Sequence, residues 1–197
     1  MKKIISVALS ILFILSAFAG CSDESETPEN TTASAAKATA VEMTIKDYGT
    51  VKIELYPDVA PITVANFVEL AESGFYDGVG FHRLDKDFVL QGGDPDGDGI
   101  GGSENTIEGE FASNGVENNI SHKRGVISMA RTNDPNSASS QFFICLEDST
   151  FLDGNYAAFG CVTEGMDVID AIRDTTPESN SLPKDQQPVI ETIKVIY

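Results

Sequence analysis

Short runs with strand periodicity, separated by clusters of turn-forming residues, constrain this fold more than any other feature of the sequence. Residues 41–46 (VEMTIK) and 50–56 (TVKIELY) each alternate apolar with polar side chains, the period of a strand with one buried face. Asp47-Tyr48-Gly49 between them supplies turn residues, so the pair predicts a hairpin. Further strands are predicted at residues 81–84, 88–91, 125–130, 141–146, 156–162 and 189–197, the last beside the first. Only two stretches carry a helical period. Pro61 opens one, Val64, Phe67, Val68 and Ala71 form its apolar stripe, and Gly74 reads as the residue just past its end. Met166, Ile169 and Ile172 mark a second, shorter helix. Many short strands at hairpin spacing with so few helices predict a mainly β protein built as an antiparallel barrel. Closure of such a barrel removes exposed sheet edges.

The N-terminus follows a different logic. Met1-Lys2-Lys3 is basic, residues 4–18 are an apolar run, and Ala19-Gly20 are small residues before Cys21. The run is short and ends at small residues, so it reads as a signal peptide over 1–20 rather than a spanning helix. Phe18-Ala19-Gly20-Cys21 resembles a lipobox, which predicts cleavage before Cys21, acylation of Cys21 and a chain anchored to the membrane outside the cytoplasm. An ordinary signal with a spare cysteine is the alternative. Residues 21–40 have no large apolar side chain and a net charge of −3 over 22–40, and so predict a disordered acidic tether. About twenty such residues reach roughly 25 Å, enough to hold a domain over residues 41–197 clear of the headgroups. With 41% hydrophobic residues the remainder can bury one sizeable core. The net charge of −18 leaves no basic footprint for nucleic acid.

The stretch FHRLDKDFVLQGGD at 81–94 places one arginine, Arg83, among apolar residues of an acidic protein. Alternation puts Phe81 and Arg83 on one strand face and His82 and Leu84 on the other. A buried guanidinium costs several kcal/mol unless compensated, so Arg83 is expected to have a purpose. His82 and His122 have no evident serine or cysteine nucleophile partner, and no Cys/His metal spacing or phosphate loop is present. Asp94, Asp96, Asp98 and Gly99 imitate the opening of a calcium loop, yet Asn105 stands where a bidentate glutamate is needed, so no metal is expected. Residues 104–123 read as a long surface excursion. Cys145 and Cys161 fall in predicted strands and read as small buried residues, with a disulfide as the alternative.

Six motifs in order, FHR at 81–83, FVLQGGD at 88–94, GIGG at 99–102, SMAR at 128–131, SQFFI at 140–144 and LDGNYAAFG at 152–160, resemble the cyclophilin family of peptidyl-prolyl cis-trans isomerases. The resemblance covers residues 41–197. It implies a closed eight-stranded antiparallel barrel capped by two helices, non-covalent catalysis, and no cofactor. It also implies the site. Arg83, Phe88, Gln91 and Phe143 would be catalytic, with Phe88, Phe143 and Leu152 lining a proline pocket and Val89 beside them. Gln91 would orient Arg83 and the substrate carbonyl, and the backbone around Ala130 and Arg131 would pair with an extended peptide. Gly99, Thr132, Gln141, Phe151 and Tyr156 would border the groove. The sequence departs from the best-studied eukaryotic members, with Phe151 for tryptophan, Tyr156 for histidine, Val89 for methionine and Arg131-Thr132 for asparagine-alanine. Loss of the indole donor at Phe151 implies weaker cyclosporin binding.

Rotation about a prolyl bond faces a barrier of ~18–20 kcal/mol from amide resonance, and the twisted transition state leaves a lone pair on nitrogen. A fixed, permanently charged donor such as Arg83 suits that lone pair better than the planar ground state. The implied substrates are proline-containing unfolded or exported polypeptides, met by a monomer. A proline-peptide binding or chaperone module without significant turnover is the runner-up, and a calcium-dependent surface protein the third reading.

Overall fold

The structure, a computed structural model, describes residues 37–197. The expected signal peptide, Cys21 and nearly all of the tether lie outside the described residues. The folded part begins earlier than residue 41: Ala38 is fully buried, and the Thr39 amide donates to Ile196 O at 2.9 Å.

Strands β1 (Ala40–Ile45) and β2 (Gly49–Leu55) form the expected hairpin, with Asp47 at φ 67° in its turn. Helix α1 (Pro61–Glu72) follows, and Pro61 at its start lacks the amide hydrogen that would otherwise go unbonded. Thr63, Val64, Phe67, Val68 and Ala71 form its buried stripe. Its next free donors are satisfied from far along the chain. The Glu110 carboxylate accepts from the amides of Ile62 (3.0 Å) and Thr63 (2.7 Å) and from Thr63 Oγ1 (2.7 Å). Residues 104–123 are therefore not a surface excursion throughout, since Glu110, Phe111, Asn118 and His122 are all buried. A polar segment anchored by side-chain hydrogen bonds shows no apolar period, so periodicity could not reveal it.

The remaining elements are β3 (Arg83–Asp85), β4 (Val89–Gly92), β5 (Val126–Met129), β6 (Phe142–Cys145), β7 (Ala158–Glu164), α2 (Met166–Thr175) and β8 (Ile190–Ile196). All ladders are antiparallel, in the order β3-β4-β6-β5-β7-β2-β1-β8. The closed barrel expected from the sequence is corrected here to an open half-barrel. β3 and β8 end the sheet without pairing to each other, because the three-residue β3 gives its free edge to another segment: Leu84 exchanges both backbone hydrogen bonds with Ser179. The seam is spanned instead by the segment before β3: Gly80 bridges Val189, the amides of Gly78 and Phe81 donate to Ile190 O and Pro188 O, and the Ile190 amide donates to Val79 O. Helix α1 packs on β8 and α2 against β2. Gly165 starts α2 at φ 87°, where a Cβ would lie 2.6 Å from Thr50 O.

The sheet has two unlike faces, which is what positions the site. Leu84, Leu90, Ile127, Met129, Phe142 and Ile144 point into the main core with Phe67, Tyr76 and Phe159. Phe67 lies 5.2 Å from the Tyr76 ring, 5.6 Å from Phe142 and 5.1 Å from Phe159, a packed aromatic centre. By alternation Val89, Gln91, Ser128, Phe143 and Cys145 point the other way, where a second, smaller apolar cluster forms. Phe81 does not share the face of Arg83. It is fully buried in the main core, edge-on to Phe142 at 6.0 Å, and it lies outside β3, so the alternation that begins at Arg83 does not extend to it. Gly92 makes room for it, since a Cβ there would lie 2.8 Å from the Phe81 ring.

Candidate active site

On the face turned away from the main core, Arg83, Phe88, Val89, Gln91, Ala130, Arg131, Phe143, Leu152 and Tyr156 line a cavity of about 260 Å³. Three adjacent strands and three connecting segments supply it. β3 and β4 pair Arg83 with Gln91, and β4 and β6 pair Gln91 with Phe143. Phe143 is nearly buried and meets Tyr156 edge-on at 5.9 Å, so its ring makes a stiff apolar wall. Phe151 is 71% exposed and stacks on Phe88 at 5.4 Å, extending the apolar rim outward.

Arg83 is less buried than its flanks imply, with 28% of its side chain exposed, because Phe81 turns inward and leaves it at the mouth of the cavity. It is nonetheless held from several sides. Nη1 donates to Gln91 Oε1 at 3.4 Å and Nε to Asn180 Oδ1 at 3.1 Å. Nη2 lies 3.7 Å from Asp85 Oδ2, and the guanidinium sits 5.6 Å from the centre of the Phe88 ring. Neither Asn180 nor Asp85 was marked by any sequence motif. Asn180 lies in a turn-rich segment 97 residues away, and only the approach of residue 179 to β3 brings it there.

Gln91 passes the order onward. Its Nε2 donates to Gln141 Oε1 at 2.9 Å, and Gln141 Nε2 donates to Gly101 O at 2.7 Å. Beyond these amides lies a second cavity of about 380 Å³, lined by Gly99, Thr132 and Gln141 of the expected rim and by Ile100, Gly101, Ser137 and Ser139. Gln91, Ala130 and Arg131 line both cavities, so the two adjoin. The structure thus brings together all the residues that the sequence motifs single out, apart from Cys21. A wider cleft of about 560 Å³ beside α1, lined by Ile62, Ala65, Leu70 and Phe75 with Glu69 and Glu104, contains none of them and no cation.

His122 corrects one expectation, for it does have partners. Nε2 is 3.0 Å from Ser128 Oγ and Nδ1 is 2.9 Å from Asp153 Oδ1. This resembles a hydrolytic triad in connectivity only. Ser128 is fully buried opposite Phe143 on the neighbouring strand, out of reach of any substrate carbonyl. The trio instead backs the pocket wall, with the imidazole stacked on the Phe143 ring at 6.1 Å. Burial lowers the His122 pKa, opposed by Asp153. Burial likewise lowers that of His82, opposed by Asp94 and Asp98.

Asp94 explains the calcium-like spacing. Its carboxylate accepts from the amides of Asp96 (2.9 Å), Asp98 (3.0 Å) and Gly99 (2.6 Å), closing the loop that walls the second cavity. Burial raises its pKa, but these backbone donors outweigh that and hold it below the usual carboxylate value. Among the described residues no group of three or more His, Cys, Asp or Glu side chains is arranged to hold a metal ion. Cys145 in β6 and Cys161 in β7 are separated by β5. Two strand spacings put their Cα atoms roughly 9.6 Å apart, beyond the ~7 Å limit for a disulfide. Burial pushes the Cys145 thiol up to about 12 and raises that of Cys161.

Residues 40–195 match the family model described as "Cyclophilin type peptidyl-prolyl cis-trans isomerase/CLD". The chain belongs to the cyclophilin-type peptidyl-prolyl cis-trans isomerases. As a cyclophilin it is an isomerase, and its relatives agree. It is 42% identical to the peptidyl-prolyl cis-trans isomerase ppi1 of Schizosaccharomyces pombe over 149 residues, 75% of this chain and 90% of that protein. It is 45% identical to the peptidyl-prolyl cis-trans isomerase of Helicobacter pylori over 127 residues, 64% of this chain and 75% of that protein. A crystal structure of a Cryptosporidium parvum cyclophilin-type isomerase superposes with a TM-score of 0.73 at 30% identity, covering 81% of this chain and 98% of that one. The same protein in the presence of the dipeptide Ala-Pro gives a TM-score of 0.72 at 30% identity, covering 80% of this chain and 99% of that one.

Proposed function

We propose that this cyclophilin isomerises Xaa-Pro bonds by transition-state stabilisation at Arg83, acting outside the cytoplasm on exported chains from a lipid anchor at Cys21. The observation that carries the mechanism is the guanidinium held over Phe88 at the mouth of a cavity of about 260 Å³ walled on one side by Val89, Phe143 and Leu152. Phe143, Leu152 and Val89 grip the ring by burying its apolar surface. The bond preceding it then rotates while the ring stays fixed. As the nitrogen pyramidalises, its lone pair meets a donor that Gln91, Asn180 and Asp85 already hold in place, so little reorganisation accompanies the rotation. Each tenfold of acceleration needs ~1.4 kcal/mol of preference for the twisted form. No covalent step and no bound cofactor enters.

A protease-coupled assay on a short Ala-Pro peptide tests this mechanism. Arg83→Ala is expected to lower kcat/KM by about 100-fold or more, the usual effect of removing a transition-state donor, and equal rates in the two proteins would remove Arg83 from catalysis. The extracytoplasmic reading rests on the basic start, short apolar run and Phe18-Ala19-Gly20-Cys21. Mass spectrometry of the mature N-terminus tests it: a diacylated Cys21 supports the anchor, and an intact Met1 or an unmodified Cys21 overturns it.

A further inference from the structure

Four arginines lie among the described residues, at 83, 124, 131 and 173. Three of them have a carboxylate within ion-pair distance: Arg83 with Asp85, Arg124 with Asp170, and Arg173 with Asp87 and Glu147. Arg131 has none among the described residues, in a chain of net charge −18 where carboxylates are abundant. It is also held rigidly. The guanidinium lies 4.7 Å from the centre of the Tyr156 ring and 5.1 Å from that of Phe111, stacked against both. Nε and Nη2 donate to Asn155 O at 3.0 and 2.9 Å, and Nη1 donates to Thr132 O at 2.8 Å. Those bonds use three of the five N–H hydrogens that a guanidinium carries. One hydrogen on each terminal nitrogen is left over.

The position of this cation is as specific as its posture. Arg131 lines the proline cavity and also the second cavity, and it is the only charged side chain in the second. The rest of that lining is hydroxyl, amide, glycine, Ala130 and one exposed isoleucine, Ile100. A substrate whose proline fills the first cavity extends past Ala130 into the second, and the side chain that lands there meets one unpaired cation. We propose that the second cavity is a subsite for a carboxylate, so that this cyclophilin favours segments with Asp or Glu within two residues of the proline. This rests on the proline cavity assigned above. The rival reading is purely structural, with Arg131 serving only to clip the Asn155 loop to β5.

A set of short peptides separates the readings. Each carries one proline, with Glu or its uncharged isostere Gln placed in turn at the first and second residue on either side. The ratio of kcat/KM for Glu over Gln, taken within one enzyme, cancels any loss of folded protein. At one of the four positions the wild type is expected to favour Glu by about threefold to tenfold at low salt, a ratio that shrinks in 0.5 M NaCl as screening sets in. Arg131→Gln brings that ratio to about one whatever its absolute rate, and Arg131→Lys retains part of it. A structural clip alone moves the rates of Glu and Gln peptides together and leaves their ratio untouched. A wild-type ratio near one at all four positions overturns the subsite, as does a preference that persists in Arg131→Gln. Dissociation constants for the same peptides, read by NMR titration, give the ratio independently of turnover. If Arg83→Ala abolishes turnover while the affinity ratio stays, the subsite stands. If wild-type turnover is absent and the ratio stays, the catalytic mechanism falls and the subsite does not.

Discussion

Replacing Gln91 with leucine keeps the volume of the side chain and removes both hydrogen-bonding ends at once. The Arg83 Nη1 bond to Gln91 Oε1 is 3.4 Å, longer than the ~2.7–2.9 Å of a strong charge-assisted pair. Arg83 also keeps 28% of its side-chain exposure, so water can replace part of what is lost. The lower end of the ~1.5–3 kcal/mol range for hydrogen bonds to charged groups therefore applies. A loss of about 1.4 kcal/mol corresponds to about a tenfold fall in kcat/KM. It stops there because Asn180 and Asp85 still restrain the guanidinium. The loss is expected in kcat, since Gln91 orients the donor and the apolar walls that hold the ring are untouched. Protease-coupled kinetics give kcat and KM, and a thermal melt reports folding. A kcat within about twofold of wild type, or a loss confined to KM, would show that Gln91 does not hold Arg83 for the rotation.

Other consequences follow from particular residues. Glu110→Ala strands the donors of Ile62 and Thr63 at the start of α1 and is expected to cost about 2–4 kcal/mol, lowering Tm by roughly 5–15 °C by calorimetry; a fall under about 2 °C would exclude the cap. His82 and His122 have folded pKa values below the ordinary 6.5, so the unfolded chain binds protons first as pH falls. Stability should be flat above pH ~6.5 and drop below it by up to about 1.4 kcal/mol per pH unit for each histidine. Asp94 and Asp153, depressed below 3.8, add a second loss only beneath that value. Urea melts from pH 8 to 3 test both windows, and rising stability between pH 6.5 and 5 would contradict the burial of neutral imidazoles. Mild oxidation is expected to leave Cys145 and Cys161 as two titratable thiols after unfolding, and an intramolecular disulfide on mass spectrometry would refute their separation by β5.

Strands and helices were legible in the sequence because their side chains keep a period. The stripe of α1 is Val64, Phe67, Val68 and Ala71 as read, with Thr63 added, and Gly74 takes up φ 72° just past its end. Most of the residues that line the two cavities stand in the sequence motifs, and the structure gathers them on the side turned away from the main core. What could not be read depends on contacts between distant segments. Whether β3 meets β8 is decided by Ser179 taking the edge of β3 first. The face that Phe81 occupies follows from its place outside β3 and from the space Gly92 leaves. Asn180 on Arg83, Glu110 on α1, and Ser128 with Asp153 on His122 are polar pairings with no sequence signature. The calcium-like spacing at Asp94 has a physical reason, since the same Asp and Gly spacing that opens a metal loop also folds backbone amides around one carboxylate.

In the proposed mechanism the Arg83 guanidinium holds the buckled prolyl nitrogen more tightly than the planar one. NMR exchange on an Ala-Pro peptide at equilibrium measures it in a single sample, giving the affinity for the bound peptide and the rate of cis-trans exchange on the protein. For Arg83→Ala the expected result is an affinity within about threefold of wild type and an on-protein exchange rate lower by about 100-fold or more. An exchange rate that is unchanged, or that falls only as far as peptide affinity falls, would contradict it.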